Sequence, residues 1–369
     1  MRSYITRRGF LAGLATVPAA ASVVLPTRTC AAGTETSLAN AAKQSGRLFG
    51  AAVRTDQLER EEDLRNAVLR DCCCITPEIH MKWDALEPRR GTHCFEPMDR
   101  LVSFASAHGL GIHGHTLLWD QSTPGWAKRH LSETRDWRLI QDHISEVMSR
   151  YRHAVERWDV VNEPIASNEA KNGLRDNVFL RAFGPSYIAN ALRDARIVAP
   201  NAKLFINDYG FEYDNSAETR RRRAFLKLLE QTISRGLPLD GVGLQAHLDL
   251  GKGKIKSSIL RPFLKEISDL GLEIVVTELD VKEHNISKPV TERDQRVADE
   301  ARRYLDIVLD YPSVKGVTVW GLSDRHSWLS LREAASREQL NRGLPYDADF
   351  DPKPLYWVLQ DALAARNAA

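Results

Sequence analysis

Between residues 48 and 320 the sequence alternates short, β-branched apolar runs with segments of helical period, eight times over. Apolar runs fall at 48–53, 71–75 and 111–118, a fourth ends at Glu163, and the rest fall at 203–208, 241–247, 274–280 and 315–320. Helical spacing marks 58–69, 99–108, 137–151, 178–198, 217–235, 259–270 and 292–309, and 355–365 is placed to close the ring. Strands joined through crossover helices by short connections must lie parallel, and eight such units close into a barrel. No internal repeat, low-complexity stretch or shift of composition marks a linker. The expectation is therefore one domain over residues 33–369, a single (β/α)8 TIM barrel of the α/β class.

Composition narrows the partners. The chain has 369 residues, 43% hydrophobic and 27% charged, as an ordinary globular protein does. A net charge of +2 is too small to point to nucleic acid. Residues 1–32 read as a targeting segment: Thr6-Arg7-Arg8-Gly9-Phe10-Leu11 is a twin-arginine pattern, and an apolar run to Leu25 follows. That run is short, Ala-rich and broken by Pro18, so it suits cleavage near Ala31-Ala32 better than a membrane span. The expected product is a periplasmic or secreted monomer with no membrane attachment.

Of five cysteines, Cys30 lies at the expected cleavage region, and Cys72, Cys73 and Cys74 are adjacent. Consecutive cysteines cannot bridge one another in ordinary geometry and lack the spacing of zinc ligands. They read as small buried hydrophobes on the second strand, and Cys94 has no assigned role. Arg220 to Arg223 could form a phosphate patch, but reads better as a solvated helix face.

Polar and aromatic residues gather where the apolar runs end, the face on which barrels build their sites. They are Glu78, Lys82 and Trp83; His115 and Trp119; Asn162 and Glu163; Asn207 and Tyr209; Gln245 and His247; Glu278 and Asp280; Trp320 and Trp328. Two carboxylates among neutral donors, beside several tryptophans, suit a sugar: hydroxyls need hydrogen bonds and a pyranose face needs an aromatic platform.

The sequence resembles the glycoside hydrolase family 10 endo-1,4-β-xylanases. The likeness runs through Met81-Lys-Trp-Asp-Ala-Leu-Glu-Pro88, Gly114-His-Thr-Leu-Leu-Trp119, Trp158-Asp-Val-Val-Asn-Glu-Pro164 and Asn207-Asp-Tyr209. It continues in Gly241-Val-Gly-Leu-Gln-Ala-His247, Thr277-Glu-Leu-Asp280 and Trp320-Gly-Leu-Ser-Asp324 with Ser327-Trp328. The resemblance implies a retaining glycosidase without metal or cofactor, acting on xylan or xylo-oligosaccharides. Glu163 would be the acid/base and Glu278 the nucleophile, the latter ionised by His247 and its neighbour Asp280. Asn162 would bind the 2-hydroxyl beside the cleaved bond. Glu78, Lys82, His115, Gln245, Trp320 and Trp328 would line the glycone side, with Trp119 in the same wall and Tyr209 also touching substrate.

Four positions depart from the family pattern: Ile79 and His80, where Asn-Glu is usual, and His113 and Asp120, where Arg and His are usual. Ile79 offers no amide to a distal glycone sugar, so that subsite is expected to be weak. Two rival readings remain open at this level. His113-Gly-His115 has the His-x-His form of a metal-dependent barrel hydrolase, with His247 and Asp249 as further ligands. A silent sugar-binding barrel is the other, although binding alone needs neither carboxylate.

Overall fold

The computed structural model of the chain describes residues 37–364, apart from 169, 171, 285 and 331–338. The expected targeting segment, with Cys30 and Ala31-Ala32, lies outside the described residues. The strands are β1 (Leu48–Val53), β2 (Cys74–Pro77), β3 (Gly111–Gly114), β4 (Val155–Asn162), β5 (Lys203–Asp208), β6 (Gly241–Leu244), β7 (His247–Asp249), β8 (Glu273–Lys282) and β9 (Val314–Val319). β1 to β6 pair in order, β6 pairs with β8, β8 with β9, and β9 returns to β1, all parallel. Eight strands thus close the expected (β/α)8 barrel, and β7 is a short extra piece laid along the far end of β8.

The apolar runs close this way because a parallel strand buries both faces. In β4, Trp158, Val160 and Val161 are at most 1% exposed, and Ile274 to Val281 of β8 are buried throughout. The helices carry one apolar stripe each: the helix Arg138–Tyr151 buries Ile140, Ile144, Val147 and Met148 at helical spacing.

Several boundaries differ from expectation for identifiable reasons. Asp71 ends the helix Glu62–Asp71 rather than opening a strand. Fully buried, its carboxylate accepts from Leu38 N, Tyr346 Oη and Tyr356 Oη at 3.2, 2.6 and 2.9 Å. It thereby ties an unexpected N-terminal helix, Leu38–Gln44, to the closing helix Pro354–Ala364. Cys72, Cys73 and Cys74 are buried as expected, but Cys72 caps a helix and only Cys74 lies on β2. The expected helix over 178–198 is two, Val178–Phe183 and Ser186–Val198, parted by Gly184-Pro185. The run 111–118 leaves the ladder after Gly114 and returns as a bridge between Leu118 and Val161.

The solvated reading of Arg220–Arg223 needs correction. Arg221 and Arg222 on the helix Ser216–Ser234 are 3% and 7% exposed. Arg221 pairs with buried Asp208 through Nη2, and donates from Nε to Tyr209 O at 2.8 Å and from Nη1 to Ile165 O at 3.0 Å. A helix this close to the barrel rim turns two of four consecutive residues inward, and a guanidinium can be buried there because three acceptors meet it.

Candidate active site

β4 ends at Asn162, and Glu163 leaves the strand with a φ of 55°, a conformation that L-residues rarely adopt. Its backbone N donates to Asn207 O at 2.8 Å, which anchors the turn to β5. A side chain at the same level of β8, Glu278, also stands at the barrel mouth. A relay of amides connects the two carboxylates. Gln245 Nε2 reaches Glu163 Oε1 at 3.4 Å and Asn162 Oδ1 at 3.3 Å. Asn207 Nδ2 donates to Asn162 Oδ1 at 2.9 Å and to Glu278 Oε1 at 2.7 Å.

The second oxygen of Glu278 meets His247. The predicted strand over 241–247 breaks at Gln245-Ala246, where Ala246 has a φ of 58°, and resumes as β7. That break brings His247 into register with Asp280 on β8. Cross-strand neighbours on one face are within reach of each other. His247 Nδ1 lies 2.9 Å from Asp280 Oδ1 and its Nε2 lies 3.1 Å from Glu278 Oε2, while Trp328 Nε1 donates to Asp280 Oδ2 at 2.7 Å.

Charge follows geometry. Burial alone would strip the proton from His247, but Asp280 and Glu278 hold it, so its pKa stands well above the ordinary value. Burial likewise pushes the Glu278 carboxyl up. The His247 hydrogen bond, the His115 and His247 charges and the Asn207 donor outweigh that and bring it below its usual range. Burial lowers the Lys82 ammonium although Glu278 and Glu78 face it, and it raises the Glu78 carboxyl against Lys82 and Arg54.

These groups share one cleft of about 480 Å³. Its walls include Glu78, Lys82, His115, Trp119, Asn162, Glu163, Tyr209, Gln245, His247, Glu278, Asp280, Trp320 and Trp328, which are all the site residues that the resemblance implied, whereas the strand-end candidate Trp83 is buried against His143. Lys82 Nζ lies 4.8 Å from the Trp119 ring centre and 5.7 Å from that of Trp320. Trp328 is 45% exposed and offers an open apolar face at the rim. Ile79 is not on this wall, and His80 turns away to Thr55 Oγ1, 2.9 Å from Nδ1.

Sequence reasoning missed other cleft and near-cleft residues. Gln121, Lys252 and Lys282 also line the cleft, and Arg175 stands 3.2 Å from Glu163 Oε2. Asn207 was visible as a strand-end residue, but nothing in sequence marked it as the link between carboxylates. The metal reading of His113 and His115 meets a different fact: both rings turn to Asp159, at 2.9 and 2.8 Å. Burial favours the neutral acid at Asp159, yet the two imidazoles hold it ionised. Among the described residues no group of three or more His, Cys, Asp or Glu side chains is arranged to hold a metal ion.

Residues 37–362 match the profile of Glycosyl hydrolase family 10. The chain belongs to this family. It is a glycoside hydrolase. Among similar proteins, endo-1,4-beta-xylanase A of Fusarium oxysporum f. sp. lycopersici is 36% identical over 334 residues, 88% of this chain and 97% of that one. Endo-1,4-beta-xylanase B of Thermotoga neapolitana is 30% identical over 316 residues, 85% and 87% of the two chains. Xylanase 10B from Thermotoga maritima superposes with a TM-score of 0.79 at 30% identity, over 89% of this chain and 98% of that one. Xylanase 10B from Thermotoga petrophila RKU-1, solved with xylobiose, gives 0.78 at 29% identity over 89% and 97%.

Proposed function

We propose that this glycoside hydrolase is an endo-1,4-β-xylanase that cleaves internal β-1,4-xylosidic bonds of xylan with retention of configuration. The observation that carries this reading is the unequal treatment of two carboxylates in one cleft. Glu278 has both oxygens against donors, Asn207 at 2.7 Å and His247 at 3.1 Å, and its pKa is lowered, as a nucleophile requires. Glu163 has one long amide contact and an ion pair, and its strand-end turn aims it into the same cleft, as suits a group that must give and take a proton.

The chemistry proceeds in two displacements. A Glu278 oxygen bonds to C1 of the sugar, the C1–O4 bond breaks, and Glu163 delivers its proton to the departing O4. Water then attacks C1, its proton passes to Glu163, and the bond to Glu278 breaks. Asn162, beside the reaction centre and fixed by two amides, is the proposed partner of the sugar 2-hydroxyl. Glu78, Lys82, His115 and Gln245 supply polar contacts, and Trp119, Trp320, Trp328 and Tyr209 supply flat surfaces. The similarity to xylanases over nearly the whole chain supports the choice of sugar.

Release of reducing ends from soluble xylan by the full chain tests the activity. Xylobiose and longer products should accumulate, and none should appear with Glu278→Ala. A folded wild-type protein that binds xylan and releases nothing would instead be a sugar-binding barrel. The twin-arginine pattern further supports export to a compartment where xylan is met. Sequencing the N-terminus of exported protein tests that: a start near residue 33 is expected, and an intact Met1 contradicts it.

A further inference from the structure

Arg175 belongs to a segment that folds straight back onto the end of β4. Ile165 bridges Leu174, and Arg175 N donates to Pro164 O at 2.7 Å. The guanidinium, with its side chain 21% exposed, then meets two cleft groups at once. Nη1 stands 3.2 Å from Glu163 Oε2, and Nη2 donates to Tyr209 Oη at 2.8 Å. The first contact is a through-space ion pair rather than an aligned hydrogen bond: among the described residues Glu163 Oε2 has no hydrogen-bond partner. Oε2 is therefore held by charge rather than by an aligned donor among the described residues.

We propose that Arg175 is a positioning residue that keeps Glu163 anionic, and Oε2 open, between the two displacements. This rests on the acid/base reading of Glu163. After the first displacement Glu163 has lost its proton to O4, and Glu278 has become a neutral ester. Among the described residues three charged groups bear on the new anion: Lys82, Asp208 and Arg175. Lys82 faces it across the cleft, with its charge also drawn toward Glu78. Asp208 lies beneath, already neutralised by Arg221. Arg175 is the cation in contact. It stabilises the base form until water arrives and gives its proton to Oε2, so its charge matters more to the second displacement than to the first.

The inference is tested with Arg175→Gln and Arg175→Lys on dinitrophenyl β-xylobioside, whose leaving group departs without a proton and leaves the second step rate-limiting. Arg175→Gln should lower kcat by about ten-fold and lower KM with it, as glycosyl-enzyme accumulates, while kcat/KM changes little. Arg175→Lys should recover most of both. Equal losses in kcat and kcat/KM with no recovery by Lys would reduce Arg175 to a prop for Tyr209. Glu163→Ala, measured in parallel, separates the two readings. If it lacks the low-kcat, low-KM signature, the acid/base assignment itself fails; if it shows that signature and Arg175→Gln does not, only the present inference fails. Should Arg175→Gln not fold, Arg175→Met, which keeps the stem, carries the same expected split between kcat and kcat/KM.

Discussion

Asn207 gives one amide nitrogen to two acceptors, Glu278 Oε1 at 2.7 Å and Asn162 Oδ1 at 2.9 Å. The amide cannot turn, because Thr277 Oγ1 donates to its oxygen at 2.7 Å. Gly243 on β6 makes room for it, since a Cβ there would collide with the Asn207 side chain. One side chain thus sets the orientation of the nucleophile and of the group proposed to hold the 2-hydroxyl.

Asn207→Ala should therefore lower kcat on xylobiosides by on the order of 10²-fold, as removal of a preorganised donor commonly does. Gly243→Ala should reproduce much of that loss, because the added methyl displaces the amide without removing it. Steady-state kinetics on both variants checks this. Full activity in Gly243→Ala would mean that the amide position is not critical.

The His247–Glu278 pair sets a pH window. The depressed Glu278 carboxyl stays ionised as pH falls below its ordinary 4.5, and the raised His247 keeps its proton as pH rises past its ordinary 6.5. The pair is accordingly intact between those values, lost at the acid side when Glu278 protonates and at the alkaline side when His247 deprotonates. His247→Ala should lower kcat by on the order of 10²-fold, and the acid limb of kcat/KM should move to higher pH. A limb that stays in place would leave His247 as a wall residue.

Arg221 and Arg223 make a stability contrast. Removing Arg221 leaves Asp208 buried without its counter-ion, so Arg221→Ala should cost about 3–5 kcal/mol in urea unfolding. Exposed Arg223→Ala should stay within about 0.5 kcal/mol of the parent. Similar values for the two would contradict the buried pairing.

The barrel was legible because its apolar runs are continuous and its helices carry single stripes, patterns that local sequence displays directly. The two carboxylates and the tryptophans were legible because strand ends in a barrel converge on one mouth. What stayed hidden depends on distance in space. Arg221 reads as part of a cationic run until the rim turns it toward Asp208. Asp71 reads as the start of a strand until Tyr346 and Tyr356, from the far end of the chain, close on it. Arg175 lies in a crossover loop with no period, and only the fold-back at Pro164 brings it to Glu163.

The most direct test of the two-displacement account is to trap its intermediate. A 2-deoxy-2-fluoro-xylobioside with a dinitrophenyl leaving group slows the second step more than the first, so the glycosyl-enzyme accumulates. Mass spectrometry of the inactivated full chain should show one added fluoroxylobiosyl group, and peptide mapping should put it on Glu278. Attachment to Glu163 or another side chain would contradict the assignment of roles. Turnover of the compound with no adduct, giving the inverted anomer first, would contradict the mechanism.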